Sequence, residues 1–137
     1  MRNYIVLFGL GAFAYGLIEV VWRGHTHWSM MLAGGICFIA FSLIAERLKG
    51  LRLIYKCILG SLTVTSVELI FGCIFNLAFG LGIWDYSSIP LNLFGQICLL
   101  FSVMWGFLSL AAIPAAGAAY KLLGKEKPHE LSAQSLG

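Results

Sequence analysis

Four long apolar runs, interrupted by short polar segments, constrain this chain more than any other feature. They cover residues 4–22, 29–45, 53–84 and 91–112. A helix needs roughly 20 apolar residues to cross the hydrocarbon core of a bilayer. Of the 137 residues, 60% are hydrophobic and 11% are charged, and the mean hydropathy is +0.90. A soluble domain carries roughly 25% charged residues, so this chain belongs to the membrane class. That excludes a soluble enzyme domain, a disordered regulator and a nucleic-acid binder. The length suits one domain. The sequence holds no G-x-x-x-x-G-K-[ST] loop for a nucleotide phosphate. Cys37, Cys57, Cys73 and Cys98 all lie inside apolar runs, where a thiol behaves as a small buried hydrophobe, and no spacing suits zinc or a disulfide framework.

The first run follows a basic Arg2, and Ala12-Phe-Ala14 resembles a signal-peptide cleavage site. The apolar stretch continues past it to Trp22, so it reads as a span. The third run is too long for one untilted span, and its only charged members are Lys56 and Glu68. It predicts a helix over residues 53–79, with Lys56 snorkelling to the interface. Trp84-Asp-Tyr-Ser-Ser-Ile-Pro90 then makes a turn. The fourth run predicts a helix from Leu91 to about Ala112, with Pro114 permitting a kinked continuation. Residues 1–123 thus form a four-span transmembrane domain, and residues 124–137 a polar, disordered tail.

Basic residues set the expected orientation. Arg2, Arg47, Lys49, Arg52, Lys56, Lys121, Lys125 and Lys127 fall on one side of four spans, and Arg23 alone falls on the other. Short loops rich in Lys and Arg stay in the cytoplasm, which places both termini there.

The halves of the chain also echo each other. Ile18-Glu-Val-Val-Trp22 matches Val67-Glu-Leu-Ile-Phe71, and Gly35-Ile-Cys37 matches Gly95-Gln-Ile-Cys98 with a one-residue slip. Two tandem helical hairpins of like orientation would be related by an axis along the membrane normal.

Glu19 and Glu68 lie within spans, each fifteen residues into its run. At about 1.5 Å per residue, both stand roughly 22 Å from the cytoplasmic edge of a core about 30 Å thick. Gly9, Ala12, Gly16 and Glu19 share a face at helical spacing, continued by Arg23, and Ser61, Thr65, Glu68, Gly72 and Asn76 form a matching stripe. Small and polar residues mark packed membrane faces, so both carboxylates are expected to point into the bundle. Glu19 and Arg23 are also an i, i+4 pair, which by itself would neutralise an interfacial acid. Two facing carboxylates in a dry site would share a proton or a bridging cation.

At the outer side lie Arg23, His25, His27, Asp85 and Tyr86, with Trp22, Trp28 and Trp84 as an aromatic belt. His25 and His27 alone do not define a metal site. Asn92 and Gln96, early in the fourth helix, are placed to reach inward. No nucleophile–base pairing suggests catalysis.

The segment from Trp84 to Gly106 resembles the signature of the putative ABC-transporter type IV (CmpB-like) family of bacterial membrane proteins. In that family an acidic residue on one helix leads to W-D-Y-S, then P-x-N and G-x-I-C. Glu68 matches the acid, and Trp84, Asp85, Tyr86, Pro90, Asn92, Gly95 and Trp105 match the remainder. The first hairpin matches only through Glu19, Arg23 and Gly24, and His25-Thr-His-Trp28 stands where the family usually has a Gly-Pro and Tyr-Gly rich segment. The resemblance implies a multi-spanning integral protein of the bacterial cytoplasmic membrane.

The expectation is therefore an all-α four-helix transmembrane bundle: a non-enzymatic small transporter or permease subunit, without cofactor or metal, working in the lipid bilayer. Its outward-facing polar pocket would be built from Glu19, Glu68, Arg23, Asn76, Asp85 and Asn92. A homodimer, an ATPase or another membrane subunit would complete a translocation path for a small molecule or ion. The alternative is a non-transporting assembly, sensory or lipid-interacting protein in which the same residues only lock helices together.

Overall fold

The computed structural model describes residues 2–135, with side chains through Gly124. Four helices carry the fold: α1 (Arg2–Arg23), α2 (Trp28–Arg47), α3 (Leu53–Phe71) and α4 (Leu99–Ser135). A π-helical segment, Gly72–Ala78, extends α3. The stretches Arg2–Arg23, Trp28–Arg47, Leu53–Ala78 and Leu99–Gly124 are each long and apolar enough to span a membrane. The chain is a multi-pass membrane protein. Of the tail expected over residues 124–137, the final two residues and the side chains beyond Gly124 lie outside the described ones.

The helices are apolar where they face outward and small or polar where they face each other. On α1 the exposed residues include Ile5, Leu10, Phe13, Leu17 and Val21, whereas Leu7, Gly11, Gly16 and Glu19 are buried. The other buried polar side chains are Ser29, Ser42, Glu68, Asn76, Gln96 and Ser109. Lipid tails give no hydrophobic drive between helices, so close contact and hydrogen bonding hold such a bundle together.

Close contact is tightest between α1 and α2. A Cβ at Gly11 would lie 2.7 Å from the Gly34 carbonyl oxygen, and one at Gly34 would lie 2.9 Å from the Gly11 carbonyl oxygen. Only glycine lets the two backbones touch here. Of the expected face, Gly16 and Glu19 are buried and Ala12 half-buried, but Gly9 is exposed with open space around it, and Gly11 makes the contact. The α3–α4 contact uses hydroxyls as well. Ser61 donates to the Ser102 carbonyl at 2.5 Å, and the Thr65 and Ser102 hydroxyls meet at 2.8 Å. Each hairpin therefore packs within itself, and α2 joins them by lying against both α3 and α4. Between the hairpins, Cys37 and Phe41 of α2 pack with Val64 of α3 and with Ile113 and Ala116 of α4.

The third span ends at Ala78, close to the expected 79. The fourth does not begin at Leu91. Residues 91–98 form a minimal antiparallel hairpin, β1 (Asn92–Leu93) with β2 (Ile97–Cys98), pairing Asn92 with Cys98 and Leu93 with Ile97. Leu91, Phe94 and Gly95 adopt positive φ of 58°, 55° and 68°, outside the helical region. The Asn92 side chain supplies the local backbone partners that a helix would otherwise need. Its Nδ2 donates to the Ile89 carbonyl at 2.8 Å and to the Ser87 carbonyl at 3.3 Å, and its Oδ1 accepts from the Gly95 N–H at 3.1 Å. This corrects the placement of Asn92 and Gln96 on the fourth helix. It also divides the second half of the internal echo, which runs over residues 35–42 and 95–102: residues 35–42 are all helical, whereas 95–98 lie in the hairpin and only 99–102 are helical.

Adding bulk at Gly34 should break the first hairpin, and adding it at Gly9 should not. Gly34→Leu is expected to lose about 2 kcal/mol or more of stability through overpacking against backbone, with Gly9→Leu close to wild type. Thermal unfolding of both variants in one detergent checks this.

Candidate functional site

Glu68 lies three residues before the end of α3 and is 5% exposed. Both of its carboxylate oxygens accept hydrogen bonds from neutral donors. Tyr86 Oη donates to Oε1 at 3.3 Å, and Trp105 Nε1 donates to Oε2 at 3.1 Å. Tyr86 belongs to the loop between α3 and α4, and its ring stacks on Phe101 with centroids 4.7 Å apart and planes 10° from parallel. Trp105 belongs to α4 and lies 6.2 Å, centroid to centroid, from Tyr15 of α1. Three elements thus converge on one carboxylate. Burial pushes the Tyr86 phenol well above its ordinary range, and the nearby Glu68 pushes it the same way. Tyr86 therefore stays protonated and remains a donor.

Glu19 lies at the corresponding height on α1. Arg23, one turn later, pairs with it, Nε to Oε2, at 3.4 Å. Arg23 also donates from Nη1 to the Ile83 carbonyl at 3.5 Å, reaching the loop after the π segment. Tyr15, one turn before Glu19, lines the same side of α1 and meets Trp105. Glu19 and Arg23 are both within electrostatic reach of Glu68. The structure brings Glu19, Arg23 and Glu68 into one cluster, but Glu19 has its own cation and Glu68 has only neutral donors within hydrogen-bonding distance.

A cavity of about 280 Å³ lies against this cluster, walled by all four helices. Its lining includes Gly11 and Ala14 of α1, Met30 and Cys37 of α2, Val67 of α3 and Ala111 of α4, with Tyr15, Trp84 and Trp105 around Glu68. Glu68 is the one charged residue in that wall. The pocket expected to be polar is thus an apolar one with a single acidic corner. Inward-facing alanines, glycines and thioether or thiol side chains leave the space open without offering polar groups.

The other three predicted site residues are elsewhere, and each fastens the loop. Asn76, in the π segment, donates from Nδ2 to Gln96 Oε1 at 2.8 Å and accepts the Ile83 N–H on Oδ1 at 2.6 Å. Gln96 continues the chain of bonds, giving Nε2 to the Phe94 carbonyl at 3.0 Å while its own carbonyl accepts Trp84 Nε1 at 2.9 Å. Asp85 is exposed and accepts the Ser87 N–H at 2.9 Å. Bonds from the Ser87 side chain and backbone hold its carboxyl below the usual range. This is the local turn that a short carboxylate makes two residues on. Asn92 is spent on the hairpin.

Trp84 corrects a further expectation. Trp22 and Trp28 are 75% and 58% exposed, as a belt requires, but Trp84 is 5% exposed and closes one end of the cavity. Tyr15 was missed altogether; its i, i+4 spacing to Glu19 was the available signal. His27 caps α2, its Nδ1 2.7 Å from Ser29 Oγ and 3.3 Å from the Ser29 N–H. Among the described residues no group of three or more His, Cys, Asp or Glu side chains is arranged to hold a metal.

Because Asn76 satisfies two groups at once, Asn76→Leu leaves both the Gln96 amide oxygen and the Ile83 N–H unmet. A loss of about 2–3 kcal/mol is expected from the unpaired buried groups. It would be read as a lower unfolding midpoint together with protease cleavage in residues 79–98.

The chain matches no curated protein and no solved structure. A family pattern described as putative ABC-transporter type IV matches residues 3–131, nearly the whole length. The shared span includes all four membrane helices, Glu19 and Glu68, and the Trp84–Trp105 region, and by that match the chain belongs to the putative ABC-transporter type IV family.

Proposed function

We propose that the protein is a small, non-enzymatic transporter or permease subunit whose working group is Glu68. One observation carries the reading: a carboxylate buried within a membrane span, presented to a cavity and met only by neutral hydrogen-bond donors. Ionisable groups at such depth are expensive and are kept where they bind or relay charge. Glu19 is paired with Arg23, so the cluster's uncompensated acid is Glu68, able to take a proton or a cationic group. Glu19 and Arg23 set its electrostatic surroundings, while Asn76, Asp85 and Asn92 hold the loop that closes the site. The bias of Lys and Arg toward the end of the bundle that carries the termini supports a cytoplasmic position for that end in a bacterial cell membrane. Four helices make a small translocation unit, so a second copy, an ATPase or another membrane subunit would complete the path.

A second reading rests on the same two donors. Tyr86 and Trp105 tie the loop and α4 to α3 through Glu68, which is what a purely structural lock in a non-transporting assembly, sensory or lipid-interacting protein would do.

The two readings separate on Glu68→Gln. The amide keeps two heavy atoms that accept or donate hydrogen bonds but cannot carry the charge. In proteoliposomes with an imposed proton or cation gradient, the variant is expected to lose flux by about tenfold or more, as removal of an essential proton carrier does, and to unfold within a few degrees of wild type. Undiminished flux, or loss of the fold with flux per folded molecule unchanged, would favour the lock.

A further inference from the structure

The cavity is closed at one end and open at one side. At the end away from the termini, the loop folds down over it. Trp84 covers it and is fixed through Nε1 to the Gln96 carbonyl, and Gln96 in turn is fixed to Asn76 and seated on Gly72, where a Cβ would come 2.5 Å from its Oε1. Entry from water past this loop would have to break that chain of bonds. The side between α1 and α4 is different. The two helices touch near the terminal end through Tyr4 and Tyr120, with centroids 6.3 Å apart, and farther along through Tyr15 and Trp105. Between those contacts the cavity wall includes Gly11 and Ala14 of α1 and Leu108, Ala111, Ala112 and Ala115 of α4, of which Ala14, Ala111 and Ala115 are exposed. Alanine side chains leave a window there, and in a membrane that surface faces lipid.

What could occupy such a space follows from its chemistry. The walls are apolar and the one charged lining residue is Glu68. Arg23 is engaged with Glu19 and neither residue lines the cavity. The aromatic faces of Tyr15, Trp84 and Trp105 also line the cavity, and a cation near an aromatic face is attracted by its quadrupole. A neutral apolar molecule would fill the walls but leave the carboxylate unanswered, and an anion would be repelled by it. We propose that this cavity binds a lipid-soluble monocation, a tertiary or quaternary amine with an apolar body, which enters from the bilayer through the window between α1 and α4 and sets its charge against Glu68. This deepens the reading of Glu68 as a charge-binding group and does not depend on anything being moved across the membrane.

Binding at equilibrium, with no gradient, tests it. The probes are benzyltrimethylammonium and its uncharged carbon isostere, neopentylbenzene, which share shape and differ in charge. The protein would be held in lipid nanodiscs and read by tryptophan fluorescence, since Trp84 and Trp105 line the site. For the wild type, the cation is expected to bind about tenfold or more tightly than the isostere, as a buried charge pair and aromatic contacts require. Glu68→Gln should bring the cation down to the isostere's affinity and leave the isostere within about twofold, because it removes the charge, which the isostere does not use, at nearly unchanged volume. Ala111→Trp, at the surface window, should slow the association of both probes, followed by stopped-flow fluorescence. Equal affinity of the two probes for the wild type overturns the proposal without any variant, and so does a cation affinity that Glu68→Gln leaves unchanged. Association rates in Ala111→Trp equal to wild type would overturn the lateral route. Cation binding without flux would leave this site standing and remove the transport reading; proton flux without cation binding would do the reverse.

Discussion

A carboxylate that enters the interior of a membrane bundle must be met by donors, and the arrangement of the loop end follows from how Glu68 is met. Tyr86 comes from the loop, Trp105 from α4, and Glu68 itself from α3. For Tyr86 to reach that depth the chain leaving α3 cannot simply cross to the next helix at the membrane surface. It turns at Gly80 and Gly82, both with positive φ, and comes back down beside the π segment. α4 then starts level with the end of α3 rather than above it. Irregular backbone at membrane depth is tolerated only where its polar groups are satisfied inside the protein. The loop meets that requirement through Asn76, Gln96, Asn92 and Asp85, each bonded to backbone or to another member of the set.

The remainder of the bundle obeys a complementary constraint. Most of its large apolar side chains face outward, with Leu7, Phe41 and Ile113 among the few that are buried, so their burial does little to draw the helices together. Contact is gained instead by removing side chains altogether, at Gly11 and Gly34, or by shared hydroxyls, at Ser61, Thr65 and Ser102. The first hairpin is therefore held by glycine contact, and the second by hydroxyl bonding together with the close approach of Ser109 to Gly60. The space left between them is the cavity, with the carboxylate in one wall.

The spans and the inward position of both acids were legible in the sequence because burial in lipid is a coarse selection on composition, and because Ser61, Thr65, Glu68, Gly72 and Asn76 recur at helical spacing. On α1, Gly16 and Glu19 lie inward as their spacing predicts, but Gly9 does not and Gly11 does, since in a helix apolar on all sides a glycine does not announce which side it serves. The hairpin at Asn92 was hidden for a related reason. Leu91, Leu93 and Phe94 are as apolar as a span, and only their backbone angles and the side-chain bonds of Asn92 separate them from one. Asp85, Asn92 and Asn76 stood out as polar groups at a mouth; what they bond to is the loop itself, which no residue-type argument distinguishes from a ligand. Trp84 looked like an interfacial aromatic because its neighbours in sequence are polar, yet its indole N–H is spent on Gln96 and its ring on the cavity.

The claim on which the rest depends is that Tyr86 and Glu68 meet inside the bundle. A double-mutant cycle measures that contact most directly: Tyr86→Phe, Glu68→Leu and the two combined, each followed by unfolding in the same detergent. Neighbours that share a hydrogen bond couple by about 0.5–3 kcal/mol, so the double variant should be clearly less destabilised than the sum of the singles. Additivity within about 0.3 kcal/mol would mean that the two side chains do not touch. The loop would then lie at the membrane surface, and the closed cavity would be lost with it.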